Sequence, residues 1–182
     1  LDDVRVRKAL TLLVNRAQMI EKLAFGQYTP ESSYFAGGVY ENPSNPKNEY
    51  DPQQALKILA EAGWKDHDSQ GRLVKNGQPL ELEMLYATQL FEQYLTVYQE
   101  DLRKVGITMN LRLITSEQQF QLIMQRKFQM SLQAWGSSLF PNPEVEYGSA
   151  IADVENTNNI TGMKDPRMDA ILQPRHLPAL VL

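Results

Sequence analysis

The sequence contains no cysteine. Disulfides and thiolate chemistry are therefore excluded for these residues. Histidine is scarce, with only His67 and His176, so a tight transition-metal site built from this chain is not expected. No apolar run approaches the roughly 20 residues that cross a bilayer. There is no basic excess either. Eighteen Lys and Arg against 22 Asp and Glu leave a net charge of −4, which argues against nucleic acid as a partner, since phosphate binding needs a basic patch. The G-x-S-x-G, P-loop, H-E-x-x-H and dinucleotide fingerprints are all missing. No targeting segment is visible, and the opening "LDDVRVRKALTLLV" reads as a helix already under way. That reading carries the expectation of a start inside a larger protein. Lack of cysteine fits exported bacterial proteins without fixing a compartment.

What is present is the composition of a folded domain. The 182 residues are 42% hydrophobic and 22% charged, enough for one domain with a real core or one lobe of something larger. Apolar residues recur at helical spacing from Val4 to Phe25, with Asp2 and Asp3 at the positive end and Gly26 as the stop. Next comes "YTPESSYFAGGVYENPSNPKNEY", rich in glycine, proline and aromatics and without a period. It predicts a long surface loop, a kind of segment that is often functional. "YDPQQALKILAEAGW" predicts a short helix with Asp51 as N-cap, Pro52 at its first position and Gly63 at its end. Its inward face is Ala55, Leu56, Leu59 and Ala62.

Turn chemistry at Ser69-Gln70-Gly71 and Asn76-Gly77 predicts a small hairpin. Its second arm continues as a strand with Leu80, Leu82, Met84 and Tyr86 on one face. A helix over about Gln89 to Val105 presents Leu90, Tyr94, Tyr98, Leu102 and Val105, and Gly106 ends it. A strand from Thr108 to Ile114 turns Met109, Leu111 and Leu113 to one side. Ser116 and Gln119 read as a capping box for a helix that buries Phe120, Ile123 and Met124. A third strand runs from Phe128 to Trp135. Strand, helix, strand, helix, strand is the order of parallel βαβ units, so an α/β fold follows. Glu81, Glu83, Asn110, Arg112, Gln129, Ser131 and Gln133 form a polar strand face, unlike a sheet covered on both sides by apolar layers. Two short helices, after Pro143 and after Asp165, close the pattern, the second cut by Pro174 and Pro178.

The third strand ends in "FQMSLQAWGSSLFPNPEVEYGS". Trp135, Gly136, Ser137 and Ser138 leave its carboxyl end, the edge where ligands bind in open α/β sheets. A plain structural turn with the Trp packed beneath it is the other reading. Tyr86 ends the first strand of the unit and is a candidate for the same rim. Asn142, Asn158 and Asn159 are loop amides able to bond a peptide backbone, although Asn is also common in turns. Asn159-Ile160-Thr161 matches a glycosylation sequon. Asp66, His67, Asp68 and Gly71 faintly match a calcium loop, but Gly77 stands where the closing glutamate belongs. A solvated turn is the favoured reading there, and no metal site and no cofactor are expected.

Taken in order, these segments resemble the C-terminal lobe of bacterial family 5 extracellular solute-binding proteins, the oligopeptide and dipeptide receptors of ABC importers. "DDVRVRKALTLLVNRAQMIEKLAFGQYTP" resembles the lobe's opening helix, with Asp3, Val6, Arg7, Ala9, Leu10, Asn15, Arg16 and Gly26 at characteristic positions. "YDPQQALKILAEAGW", "DLRKVGITMNLRL", "FQMSLQAWG" and "NPEVEYGSAIADVENTNNITGMKDPRMDAIL" follow in the family's order. The resemblance implies a βαβαβ lobe of a periplasmic-binding-protein type II fold, with a mixed sheet and flanking helices. It implies that residues 1–182 form one lobe of a two-lobed, monomeric, non-enzymatic receptor, periplasmic or extracellular and with or without a lipid anchor. Such a receptor captures a peptide or peptide-like solute by hinge closure and hands it to a membrane permease. Peptide-binding members often carry an Asp three residues after this Trp, paired with the peptide's α-amino group. Here that position is Ser138, which hydrogen-bonds an ammonium without neutralising it. The departure keeps open a sugar, an opine or a chelated metal as the solute. A hydrolase or a peptide sensor reusing the fold is the alternative of another class, and no nucleophile with a nearby base favours it. "QPRHLPALVL" departs from the helix expected at the end of the lobe.

Overall fold

Hydrophobic periodicity places the first helices, and one asparagine divides them. In the computed structural model, which describes residues 1–31, 33, 36–38, 41–134 and 142–172, the expected helix over 4–25 is two: α1 (Val4–Leu12) and α2 (Arg16–Lys22). Asn15 causes the break. Its side chain accepts the Gln18 N–H at 3.1 Å and so starts a new helix, as short amide side chains do at caps. Asp3 caps α1 through the Arg5 N–H at 2.9 Å. Beyond α2, Phe25 and Gly26 turn to positive φ, and the Gly26 N–H returns to the Ile20 carbonyl at 2.9 Å, closing the helix as a C-terminal glycine does.

No helix or strand occurs among the described residues of 27–50, as the aperiodic sequence implies. The segment is tied at its return, where the Asp51 N–H donates to the Leu12 carbonyl (2.9 Å) and Arg16 donates to the Asn48 carbonyl (3.1 Å). Helix α3 (Pro52–Glu61) follows, with the Asp51 carboxylate accepting the Gln54 N–H at 2.9 Å. Ala55, Leu59 and Ala62 are buried, whereas Leu56 lies outside the inward face.

The expected hairpin is a three-stranded antiparallel meander of β1 (Asp66–His67), β2 (Leu73–Lys75) and β3 (Gln78–Pro79). Asn76 and Gly77 both take positive φ, the geometry of the two-residue turn that matches strand twist. The extra strand arises because Asp68 closes the first turn. Its Oδ1 accepts the N–H groups of Gln70 and Arg72, each at 2.9 Å, and its Oδ2 pairs with Arg72 at 2.8 Å. The carboxylate that suggested a calcium loop is committed to that turn.

The second sheet is parallel throughout, in the order β5-β4-β6. Strand β4 (Glu81–Tyr86) pairs with β5 (Thr108–Leu113) from Glu81↔Thr108 to Tyr86↔Leu113. On its other side it pairs with β6 (Met130–Ser131) through Met84↔Met130 and Leu85↔Ser131. The third strand is thus shorter than the 128–135 expected, and the Leu132 N–H extends the pairing to the Leu85 carbonyl at 2.9 Å. Parallel and antiparallel strands are both present, in two separate sheets. Helix α4 (Glu92–Lys104) joins β4 to β5 and α5 (Ser116–Met124) joins β5 to β6 in sequence, giving the βαβαβ order.

Leu80, Leu82, Met84 and Tyr86 enter one core with Val6, Ala9 and Leu10 of α1, Leu59 of α3 and Leu95, Tyr98 and Leu102 of α4. Leu90 was expected in the α4 stripe but stands out of it. Gln89–Phe91 form a 3-10 turn ahead of the helix, and the tighter winding shifts the phase. The polar strand face carries its own ladder. Asn110 donates to Glu81 (2.9 Å), Arg112 pairs with Glu83 (3.4 Å), and Gln129 accepts the Glu83 N–H (2.7 Å). Leu85, on the same face, is fully buried. Asp101 of α4 is buried and accepts from Lys104 at 2.7 Å. Its Oδ2 closes no hydrogen bond among the described residues. The phenol of Tyr50 lies nearby, and burial, then the Asp101 charge, raises its pKa.

These elements belong to one compact unit, residues 1–114 with 129–133. A second unit comprises 115–128 and 134–182, and its described part holds α5, α6 (Glu144–Tyr147), a 3-10 turn at Ser149–Ile151 and α7 (Pro166–Leu172). The capping box of α5 is Thr115 with Gln118, one residue earlier than Ser116 with Gln119. The helix therefore buries Gln119 and Ile123 and exposes Phe120. Arg126 organises the rest. Its guanidinium donates to the Val154 carbonyl (2.8 Å) and twice to the Asn159 carbonyl (3.0 and 3.1 Å).

Candidate functional site

Parallel pairing sends all three strands of the second sheet the same way, so their carboxyl ends share one edge. Tyr86 ends β4, Leu113 ends β5, and Leu132 follows β6. Two backbone bonds extend the sheet to that edge, Ile114 N–H to Tyr86 carbonyl (3.0 Å) and Leu132 N–H to Leu85 carbonyl (2.9 Å). The edge is apolar and open. Leu90 is 69% exposed, Leu113 49% and Phe91 40%. Isolated exposed apolar residues need no explanation, but these three stand at or a few residues past strand ends, on the side where open α/β sheets in general bind ligands. Gln89 and Gln133 add neutral amides. The Gln133 amide donates to the Leu132 carbonyl at 3.0 Å and to Ser131 Oγ at 3.2 Å. Phe91 leans towards Tyr94 with ring centroids 6.3 Å apart.

The residues singled out from sequence fall in different places. Trp135, Gly136, Ser137 and Ser138 lie outside the described residues. Tyr86 stands at the expected edge, but its side chain is only 3% exposed and belongs to the core. Burial and then the Glu92 charge raise its phenol pKa. Asn142, Asn158 and Asn159 belong to the second unit. Asn142 accepts the Glu144 N–H at 3.3 Å at the start of α6, and Asn158 is exposed. Asn159 is fully buried. Its amide donates to the carbonyls of Gly148 (3.1 Å) and Met163 (3.0 Å) and accepts the Met163 N–H (2.8 Å). As it stands, that side chain ties its own loop together. The rim residues Leu90 and Leu113 were missed because their spacing continues a buried stripe, and Phe91 was not singled out. The signal available was their position just past a strand end.

Two of the cavities among the described residues border the long loop and the parallel sheet. One, of about 570 Å³, lies along the long loop and is lined by charged groups, including Arg16, Lys47 and Glu49. The other is an apolar groove of about 500 Å³ lined by α1, α2, α4, β4 and β6. No group of three or more metal-ligating side chains occurs among the described residues.

A parallel sheet with an open carboxyl edge defines an α/β architecture of the kind that binds ligands along that edge. The sequence model of bacterial extracellular solute-binding proteins, family 5 Middle, matches residues 1–153, and the chain belongs to that family. It is similar to the probable peptide-binding protein YejA of Agrobacterium fabrum, 25% identical over 93% of this chain and 33% of that protein. Among solved structures it matches the oligopeptide-binding protein AppA from Bacillus subtilis in complex with a nonapeptide. That match has a TM-score of 0.80 and 25% identity, covering 93% of this chain and 35% of that one. NikA from Brucella suis, in complex with Fe(III)-EDTA, matches with a TM-score of 0.76 and 29% identity over 93% and 35%. The fold is that of type II periplasmic binding proteins. The chain spans about a third of the length of these relatives. No helix among the described residues is long and apolar enough to cross a membrane.

Proposed function

We propose that residues 1–182 are one lobe of a longer periplasmic or extracellular receptor that captures a peptide-like solute for an ABC importer. The observation that carries the reading is the exposed apolar rim of Leu90, Phe91 and Leu113 at the carboxyl edge of the parallel sheet. Such a rim loses water when a second lobe closes over the solute, and the closed state is then favoured by the ligand's greater affinity for it. Apolar contact with neutral amides recognises a peptide by shape and backbone rather than by charge. Trp135, Gly136, Ser137 and Ser138, which follow β6 in sequence, are part of the same proposed surface. The work done is capture and release, with no covalent step.

A chelated metal is the second reading, favoured by the 29% identity to NikA in complex with Fe(III)-EDTA. The two separate in one experiment: denaturing mass spectrometry of whatever the full-length parent, purified without refolding, releases. A ladder of short peptides is expected. A single metal chelate or sugar keeps the receptor and replaces its ligand class, and turnover of added peptides with nothing retained overturns the receptor reading.

A further inference from the structure

The cleft along the long loop carries charges that the fold leaves unpaired. Its lining holds the cations Arg16 and Lys47 and the carboxylates Glu31 and Glu49. Among the described residues, Lys47, Glu31 and Glu49 close no side-chain hydrogen bond or ion pair. Arg16 gives one N–H to the Asn48 carbonyl at 3.1 Å and keeps the rest of its fork free. Opposite charges that share a cleft of about 570 Å³ without pairing leave room between them for a guest. Such a lining is selective. A carboxylate alone would meet Glu31 and Glu49, and an ammonium alone would meet Arg16 and Lys47. Only a group carrying both signs satisfies all four, so simple ions are rejected where a zwitterion is held. The cleft also adjoins the sheet edge. Val14 and Arg16 line both the cleft and the apolar groove beside β6. That groove is lined as well by Ser131 and Leu132, where β6 ends, and by Tyr94, whose ring centroid lies 6.3 Å from that of Phe91 on the rim. The Tyr94 hydroxyl closes no hydrogen bond among the described residues. Apolar surface and this hydroxyl thus connect the neutral rim to the charged cleft.

We propose that the cleft is a subsite for a charged end of the solute, an end that carries a cation and a carboxylate together. Arg16 and Lys47 take the carboxylate, and Glu31 and Glu49 take the cation. A peptide supplies this chemistry in two ways: a C-terminal lysine or arginine with its free carboxylate, or an N-terminal aspartate or glutamate with its free amine. The inference rests on the reading of residues 1–182 as part of a solute receptor. It supplies the charged partner for an ammonium that Ser138 does not.

The test is calorimetry of the full-length parent with three short peptides of one neutral core. One is blocked at both ends, one is acetylated and ends in a lysine with a free carboxylate, and one is amidated and starts with a glutamate bearing a free amine. At least one charged peptide is expected to bind about tenfold tighter than the blocked one, with the advantage shrinking as salt is added. Which of them does so identifies the end that is read. In the Lys47→Gln, Glu49→Gln double variant, whose altered side chains are exposed and whose fold is therefore kept, the advantage should vanish. Equal affinity for all three peptides, or an advantage that survives in the double variant, overturns the subsite while the receptor stands. Failure of the peptide-receptor reading shows separately, as binding of none of the three, and the subsite falls with it.

Discussion

The Tyr98 hydroxyl donates to the Leu10 carbonyl at 2.9 Å across 88 residues of chain. This bond locks α4 to the carboxyl end of α1, and burial holds the phenol protonated far above its ordinary range. Tyr98→Phe keeps the packing and removes the bond, so a loss of about 1 kcal/mol is expected in urea unfolding. Tyr98→Ala also empties core volume and should cost about 3–5 kcal/mol. Equal losses for the two variants would show that the bond carries the whole effect and the packing none.

Gly106, at the junction of α4 and β5, has a φ of +81°. Its carbonyl accepts the Leu73 N–H at 2.7 Å, docking the meander. A Cβ added there would stand 2.8 Å from the Gly71 carbonyl oxygen and 3.0 Å from the Leu73 nitrogen. Gly106→Ala should therefore cost at least about 2 kcal/mol, from left-handed strain and the displaced meander together. Gly71→Ala meets no neighbouring atom and suffers only the strain of its φ of +76°. Thermal unfolding of both variants should rank Gly106→Ala as the more damaging.

In the second unit, Arg126 and Asn159 bind the loop from two sides. Arg126→Lys keeps the charge but loses the planar fork that reaches several carbonyls at once. Asn159→Ala leaves two carbonyls and one N–H without their partner, a loss of about 2–4 kcal/mol at ~1–3 kcal/mol per orphaned group with partial rescue by water. Hydrogen exchange should accelerate over residues 148–163 in both variants. Protection unchanged from wild type would contradict the account.

Asp3 and Asp165 repeat one geometry. Each accepts the N–H of the residue two positions on at 2.9 Å and pairs with its arginine at 2.7 Å, Arg5 in one case and Arg167 in the other. Hydrogen bonding from those arginine side chains, first, and from the backbone, second, lowers both carboxyls from 3.8 to about 2. A carboxyl that binds its proton less readily when folded stabilises the folded state above its unfolded pKa. That contribution is complete above pH 3.8 and is lost as the pH falls towards about 2. Carboxyl carbon shifts followed by NMR should titrate near 2 at both positions. Midpoints at the ordinary carboxylate value would refute the paired caps.

Much of the fold was legible because local signals agree. Alternating Leu80, Leu82, Met84 and Tyr86 leave no choice of face for β4, and Asp51-Pro52 starts α3 where both residues prefer to stand. Errors arose where a neighbouring residue offered the same chemistry. Asn15 sits inside an apolar period yet caps a helix, and Thr115 outcompetes Ser116 for one cap. The candidate site was less legible. Periodicity assigns Leu90 and Leu113 inward, since spacing does not reveal where a strand or helix meets the edge of its layer. Asn159 reads as a loop amide open to ligand because its partners, the Gly148 and Met163 carbonyls and the Met163 N–H, are backbone groups that no side-chain pattern in the sequence marks.

The rim is the central claim, and calorimetry of the full-length parent tests it most directly. The solute identified by mass spectrometry is titrated into wild type and into the Phe91→Ser, Leu113→Ser double variant. Phe91 keeps 40% and Leu113 49% of its surface exposed, so each change should cost about 1–2 kcal/mol of stability from the buried remainder. The account predicts affinity reduced tenfold or more in a double variant that still unfolds in one cooperative transition. Undiminished affinity in a correctly folded double variant would contradict it.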